Sequence, residues 1–175
     1  MVYQRTAEQR RHDLANAKAY ENYVADAIGV PVHSRFTSKT DLDLWHPGYF
    51  IEIKEKNQPL TPRWHILEHC EERNLFVLDE LTVRKALRWY PEVFLLVRDN
   101  SGGDPDPRLF LIPIWELIAL PKARVDRDKK GKWVLNLGDF TRIATEEDIP
   151  PYAHYALTEQ LWKRPQCLGG VVGQV

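Results

Sequence analysis

The sequence predicts an α/β fold, a sandwich of strands and helices that alternate along the chain. A helical period of apolar residues runs through 6–28, and short segments follow in which apolar and polar residues alternate as in strands. Helical and strand-like segments then succeed one another, an order typical of α/β domains. No linker rich in Pro, Gly or Ser divides the 175 residues, so we expect one domain over 1–175, with a core over about 6–137 and a C-terminal helix and loose tail over 150–175.

The individual elements are predicted from apolar spacing and from the residues that interrupt it. The first helix carries one apolar stripe, formed by Leu14, Ala17, Tyr20, Val24 and Ile28, and the Gly-x-Pro that follows ends the helix. We expect further helices over 64–73, 78–90, 115–120 and 152–162. We expect strands over 40–45, 49–56, 93–98, 109–114 and 133–137, the last of them after a lysine-rich hairpin around 128–132.

Composition excludes several classes of protein. Lys and Arg number 24 against 25 Asp and Glu, so the formal net charge of −1 excludes a polycation that coats nucleic acid by bulk charge. A hydrophobic fraction of 43% excludes wholesale disorder. Cys70 and Cys167 lack zinc-ligand spacing, and no apolar run resembles a signal peptide or is long enough to span a membrane. We therefore expect a soluble cytoplasmic protein that does not contact membranes.

The stretch most informative about function is TDLDLWHPGYFIEIKEK, residues 40–56. Side chains of a strand point alternately to opposite faces, so Glu52, Lys54 and Lys56 share one face. The same alternation is also typical of a solvated edge strand whose charges form cross-strand ion pairs. The apolar residues at the intervening positions favour a single register, which holds the polar face in one orientation.

The two strands of this stretch are predicted to form a hairpin. With the turn centred on Pro47–Gly48, Asp43 lies opposite Glu52 and Asp41 lies opposite Lys54, and such neighbours are about 5 Å apart. Clustered carboxylates repel one another, and a hard cation such as Mg²⁺ relieves the repulsion by binding their oxygens. The pattern therefore suggests metal-assisted hydrolysis of phosphodiesters.

Two further groups of the second strand would assist this chemistry. The backbone carbonyl of Ile53 lies between Glu52 and Lys54 and could supply another oxygen ligand to the metal. The Lys54 ammonium could orient the attacking water or neutralise charge in the transition state.

The run Asp43 … Glu52-Ile53-Lys54 resembles the PD-(D/E)XK nuclease superfamily, which includes many restriction enzymes, archaeal Holliday junction resolvases and recombination exonucleases. The proline that precedes the aspartate in that family is absent before both Asp41 and Asp43, so either could be the family's aspartate, and strand geometry favours Asp43. The resemblance implies a restriction-endonuclease-like core with a central mixed β-sheet flanked by helices. It also implies Mg²⁺ as cofactor, with Mn²⁺ able to substitute, and catalytic roles for the aspartate, Glu52 and Lys54.

Many members of the family add a glutamate from the preceding helix, and Glu21 is the candidate here. Its helical neighbours Ala17, Val24 and Ile28 are apolar, and a carboxylate on an apolar face is costly unless it is paired or binds a metal. Glu21 could instead lie at the margin of the stripe and reach solvent.

Local basic patches are the predicted contacts with DNA, because each phosphate neutralised releases counterions. One patch surrounds Trp89 and Tyr90 on a helix end, and another is the lysine-rich hairpin, although that hairpin could be an ordinary solvated turn. The predicted contacts are Lys56, Gln58, Arg84, Lys85, Arg88, Arg127, Lys129, Lys130 and Lys132.

The leading hypothesis is a Mg²⁺-dependent deoxyribonuclease directed to DNA structure or ends, such as a junction resolvase or a phage-type recombination or repair nuclease. The resemblance to resolvases implies a homodimer. The alternative is a nucleic-acid-binding or assembly protein that keeps the nuclease-like fold without catalysis.

Overall fold

The computed structural model describes residues 6–31, 34–35, 41–103, 106–127 and 130–163. The four helices of this part are α1 (Ala7–Ala27), α2 (Glu80–Ala86), α3 (Ile114–Ala119) and α4 (Ile149–Lys163). Its strands are β1 (Leu44–His46), β2 (Tyr49–Lys56), β3 (Leu75–Asp79), β4 (Val93–Asp99), β5 (Arg108–Pro113), β6 (Ala123–Arg127), β7 (Lys130–Asn136) and β8 (Thr141–Ile143). None of the helices described is both long and apolar enough to cross a membrane.

A five-stranded sheet in the order β1-β2-β4-β5-β8 forms the centre of the molecule. Strands β2 and β4 run parallel, whereas the other neighbours in the sheet are antiparallel. The sheet is therefore mixed, and helices flank it, which confirms the predicted fold class.

Both faces of the central sheet are covered. On one face, Tyr20 and Val24 of α1 and Ala153 of α4 pack with Ile51 and Phe94 of the sheet. The other face packs against a second sheet, of order β3-β7-β6, and against α2 and α3. Strand β2 is largely buried in this sandwich and is therefore not a solvated strand, although its Glu55 and Lys56 do form cross-strand ion pairs with Arg98 and Asp99 of β4.

The second sheet was not predicted from the sequence. The helix expected over 64–73 is absent; two single 3₁₀ turns, Pro62–Trp64 and Glu72–Asn74, stand there instead, and β3 follows. A short apolar run such as Leu75–Leu78 does not distinguish a strand from a buried helix. Pairing with β7 decides the matter, because it buries Leu75, Phe76 and Leu78.

Other boundaries shift by a few residues. The helix predicted over 78–90 consists of α2 and a 3₁₀ turn, Leu87–Trp89, and the strand predicted over 133–137 begins earlier, at Lys130. The short strand β8 was not predicted from the sequence.

Helix α1 packs on the sheet through its second half only. Thr6 caps its start, where the Thr6 side chain accepts a hydrogen bond from the Gln9 N–H and the Gln9 side chain accepts one from the Thr6 N–H. Residues 6–16 are all exposed, and Leu14, predicted to belong to the apolar stripe, is 70% exposed. The first half of the helix therefore extends beyond the core.

The β1–β2 hairpin has the predicted register. Leu44 lies opposite Ile51, and His46 lies opposite Tyr49, with the turn at Pro47 and Gly48. Gly48 has a φ of 99°, a conformation that glycine adopts without steric cost. The first strand is shorter than the predicted 40–45, since residues 41–43 lie before it and residue 40 lies outside the described part.

Candidate active site

A cleft of about 570 Å³ lies between the exposed half of α1, the last residues of β2 and strand β3. One stripe of α1 faces it at helical spacing, and residues 53–58 form its floor. Four carboxylates line the cleft, those of Asp13, Glu21, Asp43 and Glu55. The sequence analysis did not identify Asp13 and Glu55, although the four-residue spacing of Gln9, Asp13, Ala17 and Glu21 was a usable signal for Asp13.

Glu52 lies beside this cleft with only 2% of its surface exposed. Its Oε1 accepts a hydrogen bond from Lys54 Nζ at 2.5 Å, whereas its buried Oε2 has no hydrogen-bond partner among the described residues. Burial raises the pKa of the Glu52 carboxyl; the charge of Lys54 lowers it in part, and the charge of Asp43 raises it further. The side chain is thus a carboxylate in a poorly solvated position with one free oxygen.

Asp43 is held next to Glu52 by the backbone of β2. Its Oδ2 accepts a hydrogen bond from the Ile53 N–H at 2.7 Å. Strand β1 begins only at Leu44, so the Asp43 carboxylate takes the place of a ladder partner on that edge of β2. Its neighbours Leu42 and Leu44 are buried and fix the segment in position.

Asp41, the other candidate aspartate, lies differently. It is exposed, and its backbone carbonyl accepts a hydrogen bond from Lys85 Nζ at 3.1 Å. Of the two aspartates, the structure brings Asp43 to Glu52.

Lys54 connects the two oxygen donors predicted for a metal. Its Nζ donates to Glu52 Oε1 and, at 3.1 Å, to the Ile53 carbonyl. A carboxylate and a carbonyl oxygen therefore already converge on one positive charge. These oxygens, the Asp43 carboxylate and the free Oε2 of Glu52 are hard donors of the kind that Mg²⁺ and Mn²⁺ prefer.

The residues present fit such a cation, but with few side-chain ligands. In the described part of the chain, no three His, Cys, Asp or Glu side chains are grouped closely enough to hold a metal by themselves. A cation at Glu52 would thus need the Ile53 carbonyl and water to complete its ligand shell, which is usual for Mg²⁺.

Glu21 lines the cleft from α1 and is partly buried. Its carboxylate pairs with Lys18 Nζ at 2.8 Å. The structure places Glu21 in the same cleft as Asp43, with a cationic partner of its own on the helix.

Lys56, predicted as a DNA contact, is among the residues that line the cleft, but it is buried. It is 6% exposed, and its Nζ donates to the Arg73 carbonyl at 2.5 Å and lies 3.4 Å from Asp99 Oδ2. Burial lowers the pKa of Lys56, and the charge of Asp99 offsets part of this shift. The last residue of β2 faces the second sheet, so Lys56 stabilises the layer contact. Gln58 lines the same cleft and is exposed.

Lys85 of α2 belongs to the site, although it was predicted only as a DNA contact. It is mostly buried, donates to the Asp41 carbonyl and has its Nζ 4.0 Å from Glu52 Oε2. The sequence could not show this proximity, because it depends on how α2 packs against the central sheet.

Part of the positive charge in the predicted patches is neutralised by internal pairs. Arg84 pairs with Glu80 at 2.7 Å, and Lys132 pairs with Asp79. Arg88 and Lys130 are exposed, whereas Lys129 and the side chain of Arg127 lie outside the described residues. The described part of the lysine-rich hairpin is therefore less basic than its composition indicates.

Comparisons with known proteins give little further information. No family model and no curated protein sequence matches the chain. One solved structure that it resembles is described as "Structure of D212, a nuclease from a fusselovirus", at 11% identity and a TM-score of 0.44, over 92% of this chain and 99% of the other. A likeness this distant assigns no family.

Proposed function

We propose that the protein is a metal-dependent nuclease that hydrolyses phosphodiester bonds of DNA, with Mg²⁺ or Mn²⁺ as cofactor. The observation that carries this proposal is the buried Glu52, whose Oε2 lacks a hydrogen-bond partner in the described structure and which lies beside Asp43 and Lys54. A buried carboxylate oxygen that accepts no hydrogen bond is costly, and such groups are typical of functional sites.

Glu52, Asp43 and the Ile53 carbonyl would hold the cation, with Glu21 of the same cleft as a further candidate. When bound, a divalent cation lowers the pKa of a water molecule and stabilises negative charge on the phosphoryl and leaving oxygens. The cleft would admit the scissile phosphate only with its carboxylates neutralised, since four acids line it.

Lys54 would act on the phosphate itself. Its ammonium lies at the carboxylate of Glu52 and is partly exposed, so it can place positive charge against the oxygens of the transition state. In the reaction the oxygen of water bonds to phosphorus, the bond to the leaving oxygen breaks, and the leaving oxygen acquires a proton.

The substrate is proposed to be branched or end-containing DNA, as for a junction resolvase or a recombination or repair nuclease. The bases that line the described cleft are Lys54 and Lys56, and both are paired with carboxylates, which favours recognition of local structure over coating of a long duplex. A homodimer remains a further prediction, to be tested by sedimentation.

The direct test is a cleavage panel of linear, branched and single-stranded DNA in Mg²⁺, Mn²⁺ or EDTA. We expect metal-dependent cleavage that Glu52→Gln and Lys54→Met each lower by about 100-fold or more, as expected when a group that stabilises the transition state is lost. The matched control is Glu147→Gln, which neutralises an exposed acid outside the cleft and should leave the rate unchanged.

Two outcomes would contradict the proposal. Cleavage that persists in the Glu52→Gln protein would remove the site assignment. DNA binding without cleavage of any substrate would favour the non-catalytic alternative.

A further inference from the structure

A second surface, next to the proposed active site, is aromatic. Trp45 of β1 lies opposite Phe50 of β2, and the Phe50 ring contacts the Trp89 ring in a tilted arrangement, with 4.5 Å between centroids and 33° between planes. Trp45 is 36% exposed and Trp89 is 45% exposed. We call these three residues the aromatic patch; Trp45 and Trp89 expose their rings to solvent, and Phe50 is partly buried.

The aromatic patch is continuous with the proposed active site. Phe50 and Glu52 are two residues apart on the same face of β2, about 7 Å along the strand. Lys85, which contacts Asp41 and lies 4.0 Å from Glu52, precedes Trp89 by four residues. About two stacked nucleotides, at 3.4 Å each, span the distance from Phe50 to Glu52.

The charges around the patch suit a nucleic-acid strand. Arg88 is exposed beside Trp89, and Lys85 extends towards the carboxylate site. Two exposed acids lie nearby: the Glu92 carbonyl accepts a hydrogen bond from the Phe50 N–H, and the Asp41 carbonyl accepts one from Lys85. A strand whose phosphate enters the carboxylate site would pass over the rings within one or two nucleotides.

We propose that the aromatic patch binds an unpaired base of the DNA strand whose phosphate occupies the site at Glu52; this inference rests on the proposed function. Exposed aromatic rings stack on bases without regard to sequence, because every base has a π-face. Bases inside an intact duplex already stack on each other, so only single-stranded, frayed or branched DNA offers a free face. The patch would thus make an unpaired nucleotide next to the scissile phosphate the recognised feature.

The test measures binding separately from cleavage, in the Glu52→Gln protein, with a labelled single strand and a blunt duplex of the same sequence. Trp89→Leu keeps an apolar contact with Phe50 and should weaken single-strand binding about tenfold, as the loss of one stacked base does, with little effect on the duplex. Trp89→Phe should restore binding. Tyr155→Leu, an exposed aromatic on α4, is the matched control and should change neither affinity.

An abasic nucleotide moved along the single strand locates the contact. At one position, the abasic nucleotide should lower the single-strand affinity of the Glu52→Gln protein by the same factor as Trp89→Leu does. The abasic strand and Trp89→Leu together should lower the affinity no further. Equal losses on single strand and duplex, no loss at all, or abasic effects that are additive with Trp89→Leu at every position would overturn the proposal.

The two proposals fail separately. Metal-dependent cleavage with no effect of Trp89→Leu on binding would overturn the aromatic patch and leave the nuclease. Single-strand binding that depends on Trp89, in a wild-type protein that cleaves nothing, would support the patch and overturn the hydrolysis. Should Trp89→Leu fail to fold, Trp45→Leu in β1 provides the same comparison.

Discussion

Among single residues, Glu52 combines burial with an unsatisfied oxygen, so its charge opposes folding. Its pKa is raised in the folded protein, and therefore the carboxylate form is disfavoured there relative to the unfolded chain. A raised carboxyl pKa gives stability that is fully present below the ordinary value of 4.5 and is lost as the pH rises through the folded pKa. The residue proposed to carry catalysis is thus one that weakens the fold at neutral pH.

Replacing Glu52 with glutamine should therefore stabilise the protein at neutral pH. We expect the free energy of unfolding to rise by about 1 kcal/mol, because the cost of burying the Glu52 carboxylate exceeds what its pairing with Lys54 returns, and a neutral amide costs less to bury. Urea unfolding at a series of pH values measures this, and the gain should shrink as the pH falls towards 4.5. A glutamine variant less stable than the wild type at pH 7 would contradict it.

The two aspartates before β1 provide a matched pair for the metal. Asp43 lies at the Ile53 amide beside Glu52, whereas Asp41 is exposed and contacts the site only through its backbone. Mg²⁺ or Mn²⁺ should raise the melting temperature of the wild type and of Asp41→Asn, because a ligand that binds only the folded state stabilises it.

The same cations should leave the melting temperatures of Asp43→Asn and Glu52→Gln unchanged. Titration calorimetry is the second measurement. The heat of metal binding should be absent in these two variants and present in the wild type and in Asp41→Asn. Retention of binding by Asp43→Asn together with its loss in Asp41→Asn would reverse the assignment.

Among the elements, α1 has two halves with different roles. Val24 is fully buried against the central sheet, while Leu14 is exposed on the half that forms the wall of the cleft. A stripe of apolar residues at helical spacing does not show how far along the helix the core extends, so the predicted stripe was wrong at Leu14.

Substitutions along α1 should reveal this division. Val24→Ala removes buried methyl groups and should lower the free energy of unfolding by about 2 kcal/mol. Leu14→Ala should stay within about 0.5 kcal/mol of the wild type. Denaturant unfolding compares the two variants. A large decrease in the free energy of unfolding of Leu14→Ala would contradict the exposed position of the first half of α1.

For the molecule as a whole, local signals were enough to predict the fold class and the hairpin. The Pro47–Gly48 turn and the alternation after it fix the register within a dozen residues, and the register alone places Asp43 by Glu52. Such contacts are close in sequence, so the pattern of residue types records them directly.

Contacts between distant segments were not predictable in this way. Strand β3 pairs with β7 more than fifty residues later, and only this pairing separates a strand from a helix at Leu75–Leu78. Lys56 meets Asp99 through the pairing of β2 with β4, whereas its contact with the Arg73 carbonyl and the approach of Lys85 to Glu52 depend on how other layers pack on the central sheet. A lysine in a charged run therefore has a role that depends on which layer covers it.

The brevity of β1 has a consequence for how the protein should be handled. Beyond Ile51, β2 has no strand partner on that side among the described residues; there the Asp43 carboxylate accepts the Ile53 N–H, and Lys54 Nζ donates to the Ile53 carbonyl. An open strand edge is a template on which another chain can add, so this carboxylate also protects the protein from self-association. Asparagine keeps an oxygen that can accept the Ile53 N–H, whereas alanine would leave this N–H of the strand edge without an acceptor. An inactive Asp43→Ala preparation should therefore be checked for aggregates before its lack of activity is interpreted.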